Sequence, residues 1–221
     1  MAPVHADVRV PQQRRARITR EVIVEAAAAE FSRRGFGGAS VNAILEASGR
    51  TKGAMYFHFH SKHDLAVAVV DAAAHRYTAI AEPWRTTPQD PVNALAGLIG
   101  ELTAAIAEER VLRAELRLGI DPDFPSDTAT HASQGWETVA HELAHAAEHA
   151  GCFTAPFGPP RFVAAMGSML AGCGIMADIT DDPIALRGRF HEASDAVVVA
   201  MTTPDTAARY RSRTPQAAST A

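Results

Sequence analysis

Two short stretches of this 221-residue chain hold residue types at spacings that can do chemistry. The first runs from Arg50, Thr51, Lys52 and Gly53 through Tyr56 and His58 to Lys62. It offers cations, hydroxyl and phenol groups, and a glycine that leaves backbone bare, which is the set that holds phosphate oxygens or base edges. The second is His141-Glu142-Leu143-Ala144-His145, which puts two imidazoles one helical turn apart with a carboxylate between them. That is the spacing of a metal-dependent hydrolase. His149 extends the row to i+8, yet no third-ligand motif follows, so a solvated helix face is the better reading and neither catalysis nor a metal is expected.

The elements around the first stretch decide what it can reach. From Arg17 the apolar positions Ile18, Val22, Ala26 and Phe31 follow helical spacing as far as Gly35. Ser40 then caps a two-turn helix that stops at Gly49, and Thr51 caps a third helix over Lys52 to Phe57. Two short helices joined by a tight turn make a helix-turn-helix, in which Lys52 and Gly53 open the second helix. Lys52 and Gly53 allow close approach to a phosphate or base edge. Tyr56 and His58 can donate to phosphate, Ser40 and Thr51 combine capping with phosphate contact, and Arg50 can clasp phosphate or guanine O6/N7. Phe57 and Phe59 are expected in the core, and Arg9, Arg14, Arg15 and Arg17 either reach DNA or stay solvated. Ser61 and Asp64 form a capping-box-like start for a long fourth helix running toward Pro83, with Lys62 in its first turn.

Further helices are expected over 91–109, 110–119, 131–150, 159–179 and 183–202, with no convincing strand pair. The last two are apolar around much of their circumference, which suggests partners on more than one side. Residues 1–13 read as a flexible arm and 204–221 as a disordered tail. The fold class is therefore all-α: a helix-turn-helix domain over 14–63 and a helical bundle over 64–203.

Charge divides along the same line. Residues 1–63 carry ten Lys/Arg against five Asp/Glu, whereas 64–221 carry eleven against twenty, within a net charge of −4. A basic head fits a polyanion, because neutralising phosphates releases counterions; the acidic body must do something else. Hydrophobic residues make up 47%, with no run of the roughly 18 apolar residues that a membrane span needs, and no secretory pattern opens the chain, so a cytoplasmic protein is expected. The two cysteines, Cys152 and Cys173, lie in no metal-ligand spacing.

The segment 39–65, ASVNAILEASGRTKGAMYFHFHSKHDL, resembles the helix-turn-helix signature of the TetR family of bacterial transcriptional regulators. Its core stands here as Lys52, Gly53, Tyr56, His58, Phe59, Ser61, Lys62 and Leu65, and the resemblance implies that Ser40, Arg50, Thr51, Lys52, Gly53, Tyr56, His58 and Lys62 face DNA. Arg50 departs from the small residue common at that place. TKGAMYFHF, VLRAELRLG at 111–119 and Trp136 resemble the γ-butyrolactone receptor branch of actinobacterial TetR regulators. That branch implies a small-molecule pocket inside the bundle, with Trp136 as the leading contact and Leu98, Leu102, Phe162, Met166 and Met169 on its walls. Met169 stands where the branch often has a small hydroxyl residue, so the effector class spans butyrolactone, butenolide, furan or antibiotic-like molecules.

The expected protein is a homodimeric, cofactor-free repressor on a pseudo-palindromic operator. A small signalling molecule would release it, in a cell controlling secondary metabolism. A DNA-binding protein of the same fold without an effector is the alternative, and a metal-dependent hydrolase the remote one.

Overall fold

The computed structural model describes residues 9–86, 90–125, 132–177 and 183–213. Helix α1, Arg9–Gly38, buries Ile23, Val24, Ala27 and Phe31, and leaves helical geometry at Gly35, where φ is +67°. The break falls where the sequence places it, but the backbone turns helical again as far as Gly38. Residues 9–13 are helical rather than part of an arm, because Pro11 stands in the first described turn, where a helix needs no N–H from it. Residues 1–8 lie outside the described residues.

Helices α2, Val41–Ser48, and α3, Lys52–His58, are set by local chemistry. Ser40 Oγ accepts from the Ala43 N–H, Thr51 Oγ1 accepts from the Ala54 N–H, and Gly49 takes the left-handed conformation at φ +61° that closes α2. Ile44, Met55 and Phe59 are the anchors that α2, α3 and the residue after α3 bury in the head.

Helix α4, Lys62–Thr86, starts on the expected capping box: Ser61 Oγ accepts from the Asp64 N–H at 3.0 Å, and Asp64 Oδ1 accepts from the Ser61 hydroxyl at 2.9 Å. The Ser61 hydroxyl and the His60 N–H hold the exposed Asp64 carboxyl below its usual range. The helix continues three residues past Pro83 to Thr86. Its buried face is Leu65, Val69, Ala73, Tyr77 and Ile80, and it leaves the head to enter the body.

Among the described residues the body holds α5, Pro91–Glu108; α6, Arg110–Gly119; α7, Gln134–His149; α8, Pro159–Ala177; α9, Pro183–Met201; and α10, Pro204–Arg213. Asp90 caps α5 by accepting from the Val92 and Asn93 N–H groups, with Pro91 in the first turn. Among the described residues the one extended pairing is a lone antiparallel bridge between Phe153 and Thr202. A single apolar core runs from Ile23 and Phe31 in the head, along α4, to Leu98, Leu102, Trp136, Phe162 and Phe190 in the body.

Helix α10 replaces the disordered tail expected from Pro204 on. Thr206, Ala207 and Tyr210 are buried, the Ala207 N–H donates to Thr203 O at 2.9 Å, and the Tyr210 hydroxyl donates to Asp195. Its apolar side is two residues wide, too narrow to register as periodicity among the arginines and threonines. Residues 214–221 lie outside the described residues.

Head and body meet through the α1 break. The Phe36 N–H donates to Asp121 Oδ2 at 2.7 Å, and Asp121 Oδ1 accepts from the Asp123 N–H at 3.0 Å. A Cβ at Gly35 would lie 2.3 Å from Asp121 Oδ2, and one at Gly37 would lie 2.4 Å from Asp123 Oδ2, so the two glycines admit the two carboxylates. Phe36 packs on Phe124 at 5.3 Å, and His63 lies 5.8 Å from the same ring.

Candidate nucleic-acid interface

The exposed side of α3 carries Thr51, Lys52, Gly53, Tyr56 and Phe57, while Met55 and Phe59 point inward and His58 is half-buried. Helical spacing explains the split: Met55 and Phe59 are four residues apart, and so are Lys52 and Tyr56 on the opposite side. Lys52 Nζ lies 5.9 Å from the Tyr56 ring, which orients both groups on one ridge. Nothing lies within 4 Å of where a Cβ of Gly53 would be, so this position is bare toward solvent. Arg50 is exposed in the turn, with its N–H donating to Ser48 Oγ at 3.3 Å.

Exposed cations also stand on α1. Arg14, Arg15, Arg17 and Arg20 are exposed there. Arg17 pairs with Glu21 at 3.5 Å, and the Arg20 guanidinium lies 5.3 Å from the Phe59 ring. Surface pairs of this kind are worth little in water, so the cations stay available for phosphate.

Two expectations are corrected here. Phe57 is not core: it is 76% exposed, because the inward positions of α3 are already taken by Met55 and Phe59. Lys62 turns inward; its ammonium donates to Phe36 O at 2.7 Å and to Gly37 O and Ala39 O at 3.3 Å, and lies 4.7 Å from the Phe36 ring. Its three donors therefore close the C-terminal end of α1 instead of facing DNA.

Sequence reading also missed Glu30. This buried carboxylate accepts from the Ser40 N–H at 3.1 Å and pairs with Arg34 at 3.4 Å, fixing the start of α2 against α1. Its one sequence signal is an acidic residue on the apolar face of α1, ten residues before a cap.

In the body, Trp136, Leu98, Leu102, Phe162 and Met166 are buried in the shared core, and Met169 packs partly buried against it. A Cβ at Gly167 would be 3.5 Å from Trp136 Cη2, so α8 passes close over the indole. Phe162 packs at 5.4 Å against the tilted ring of Phe153. Nearby lies a second group that the sequence did not single out. Glu115 on α6 is buried and accepts from the Tyr77 hydroxyl at 3.0 Å. Burial pushes its carboxyl up to about 7, the Tyr77 hydrogen bond opposes this, and the Glu137 charge adds to it. Burial likewise holds the Tyr77 phenol well above its usual range.

The H-E-x-x-H residues are occupied otherwise. Glu142 accepts from Arg85 Nε at 2.8 Å, His145 lies 3.4 Å from Glu148, and His149 Nδ1 lies 2.7 Å from His145 O. His141 and His145 stand 6.5 Å apart ring to ring, and no group of three possible metal ligands occurs among the described residues. No helix among the described residues is long and apolar enough to cross a membrane.

A basic helix-turn-helix head is joined through a long fourth helix to an apolar helical body, an architecture suited to docking one helix on DNA. Residues 23–69 match the family described as bacterial regulatory proteins, tetR family. The chain is 45% identical over 60 residues, 27% of its length and 22% of the other's, to the A-factor receptor protein of Streptomyces griseus. A crystal structure of a gamma-butyrolactone receptor, an ArpA-like protein, superposes with a TM-score of 0.69 at 25% identity, covering 89% of this chain and 95% of the other. CprB from Streptomyces coelicolor, a TetR family protein in complex with its biological operator sequence, matches with a TM-score of 0.69 at 25% identity, over 90% and 95% of the two chains. The chain spans less than half the length of the curated relatives it matches. The family match thus rests on the helix-turn-helix head, and the fold as a whole is similar to that of γ-butyrolactone receptor structures.

Proposed function

We propose that the protein is a ligand-responsive repressor that binds a pseudo-palindromic operator as a homodimer and is released by a small signalling molecule. The observation that carries this reading is the exposed face of α3, where Lys52 and Tyr56 form a ridge beside the bare Gly53 on a head rich in exposed arginine. Ser40, Arg50, Thr51 and His58 flank that face and supply phosphate and base-edge contacts. Two heads on a two-fold axis would sit about 34 Å apart, or a multiple of one DNA turn.

Helix α8 supports the dimer by exposing Ala164, Ser168, Gly172 and Met176 at four-residue spacing, a face that a second copy can approach closely. The effector reading is supported by Trp136 beneath Gly167 and by Thr103 on α5, whose buried hydroxyl has no hydrogen-bond partner among the described residues. An indole and a hydroxyl within an apolar core suit a compact, mostly apolar molecule carrying a lactone, furan or similar polar end. The resemblance to γ-butyrolactone receptors favours that class and, with it, control of secondary metabolism.

Release requires the effector to prefer the conformation that does not fit DNA. A hundredfold loss of operator affinity corresponds to ~2.7 kcal/mol of differential binding, within ordinary coupling. Two connections carry the change to the head: α4 itself, and the Asp121 carboxylate on the Phe36 N–H. The test is an anisotropy titration of a selected operator with and without a panel of butyrolactones, butenolides and furans. Loss of affinity on addition, abolished in Trp136→Phe with DNA binding kept, is expected; an operator complex indifferent to all of them leaves a TetR-like DNA-binding protein without an effector.

A further inference from the structure

The most exposed large apolar side chain in the described structure is Phe57, at 76%, and it stands on the recognition helix itself. Resting on the DNA-binding reading above, we infer that Phe57 reads the 5-methyl group of a thymine in the major groove of each operator half-site, with Gly53 providing the slot that the methyl enters.

Phe57 lies four residues after Gly53, so the two share one column of α3, and a helical side chain covers the turn preceding its own Cα. The Phe57 side chain therefore rises from the same column as Gly53, where no side chain crowds the place of a would-be Cβ. The His58 and Phe57 rings meet in a T-shaped contact at 5.0 Å, which limits the orientations open to the phenyl. The result is an apolar wall beside an open floor, flanked by the Lys52 and Tyr56 ridge.

Charge selects the occupant. The surrounding face carries Arg50 and Lys52, with Arg14, Arg15 and Arg17 exposed on α1, so a second head would meet like charge there, while a polyanion meets complementary charge. Within the major groove the thymine methyl is the apolar feature that base edges present. A phenyl that costs free energy in water regains it on that methyl and on no phosphate.

The experiment uses the full chain and the operator obtained by selection from random duplexes. Each thymine is replaced singly by deoxyuridine, which removes one methyl and leaves the hydrogen-bonding edge intact. For the natural chain, one position per half-site should weaken binding about fourfold, the effect of one buried methyl, and the others should not. Phe57→Ala should weaken binding to the thymine operator by a similar factor, lose its response to deoxyuridine at that position, and keep the salt dependence unchanged, since no phosphate contact is removed. Phe57→Leu should retain part of the methyl response. Deoxyuridine without effect at every position overturns the inference, and so does a Phe57→Ala loss that leaves the natural chain's deoxyuridine response in place, since the ring would then pack on the sugar-phosphate backbone. If Lys52→Ala abolishes binding in the same assay, the DNA-binding reading stands even when the Phe57 inference falls. If no duplex is enriched at all, both fall together.

Discussion

The head and the body are held together by different means. In the head, hydrogen bonds spanning three residues start α2, α3 and α4, Ser40 to Ala43, Thr51 to Ala54 and Ser61 to Asp64, and the longer reaches of Glu30 and Lys62 tie α2 and α4 to α1. In the body, large side chains from α5, α7, α8 and α9 meet in one apolar core, and the polar contacts there join residues far apart in sequence, such as Tyr77 to Glu115. The head thus presents its chemistry on an exposed surface that local rules build. The body keeps its chemistry inside, where only the assembled fold brings the groups together. On the proposed function, such a division would let the head keep its surface while the interior responds to a ligand.

The widest separation between the two regions should come from Trp136→Ala. Truncating this buried indole should cost about 3–5 kcal/mol and lower Tm by about 10 °C in a thermal melt, while the residual folded protein keeps its operator sequence. A loss of stability below 1 kcal/mol would mean that the indole already faces an open cavity.

Gly35→Ala attacks the junction. A side chain there meets both a left-handed backbone at φ +67° and the Asp121 carboxylate, and destabilisation of about 2–3 kcal/mol is expected in denaturant unfolding. Asp121→Ala should cost less stability but weaken the coupling between effector and operator, measured as the ratio of operator affinities with and without effector.

Glu115 separates the regions by pH. Its carboxyl is raised in the folded state to about 7 from an ordinary value of 4.5, so the native state holds the proton more tightly than the unfolded one. Stability should fall as pH rises from about 4.5 through about 7, with the loss complete above that range and reaching ~3 kcal/mol. Glu115→Gln should flatten the Tm profile between pH 5 and pH 8, and a profile unchanged by the substitution would place the proton elsewhere.

Glu30→Gln should have the smallest effect, about 1 kcal/mol, because the amide oxygen still accepts from the Ser40 N–H while the Arg34 pairing weakens. Operator affinity should change little when measured well below the melting temperature.

The same contrast explains what the sequence disclosed. The caps at Ser40 and Thr51, the turn at Gly49 and the capping box at Ser61 follow from nearest neighbours and were readable as written, as were the body helices. Phe57 and Lys62 were misplaced because which side of a seven-residue helix faces in depends on the neighbours that fill it, and Met55 and Phe59 had filled it. Lys62 folds back onto carbonyls at and just past the end of α1, 23 to 26 residues earlier, a contact no local pattern signals. Glu115 and Asp121 acquire roles only when α6 is laid against α4 and α1. Helix α10 escaped notice because its stabilisation is tertiary, through the buried Tyr210.

The central claim is that α3 reads DNA. Its most direct test is selection from a random duplex library followed by anisotropy titration of the enriched sequence at several salt concentrations. The account predicts a pseudo-palindrome bound by a dimer, with affinity falling steeply in salt and lost in Lys52→Ala and Tyr56→Ala, both of which should melt like the natural chain. No enriched sequence, or binding that survives both substitutions, would contradict it.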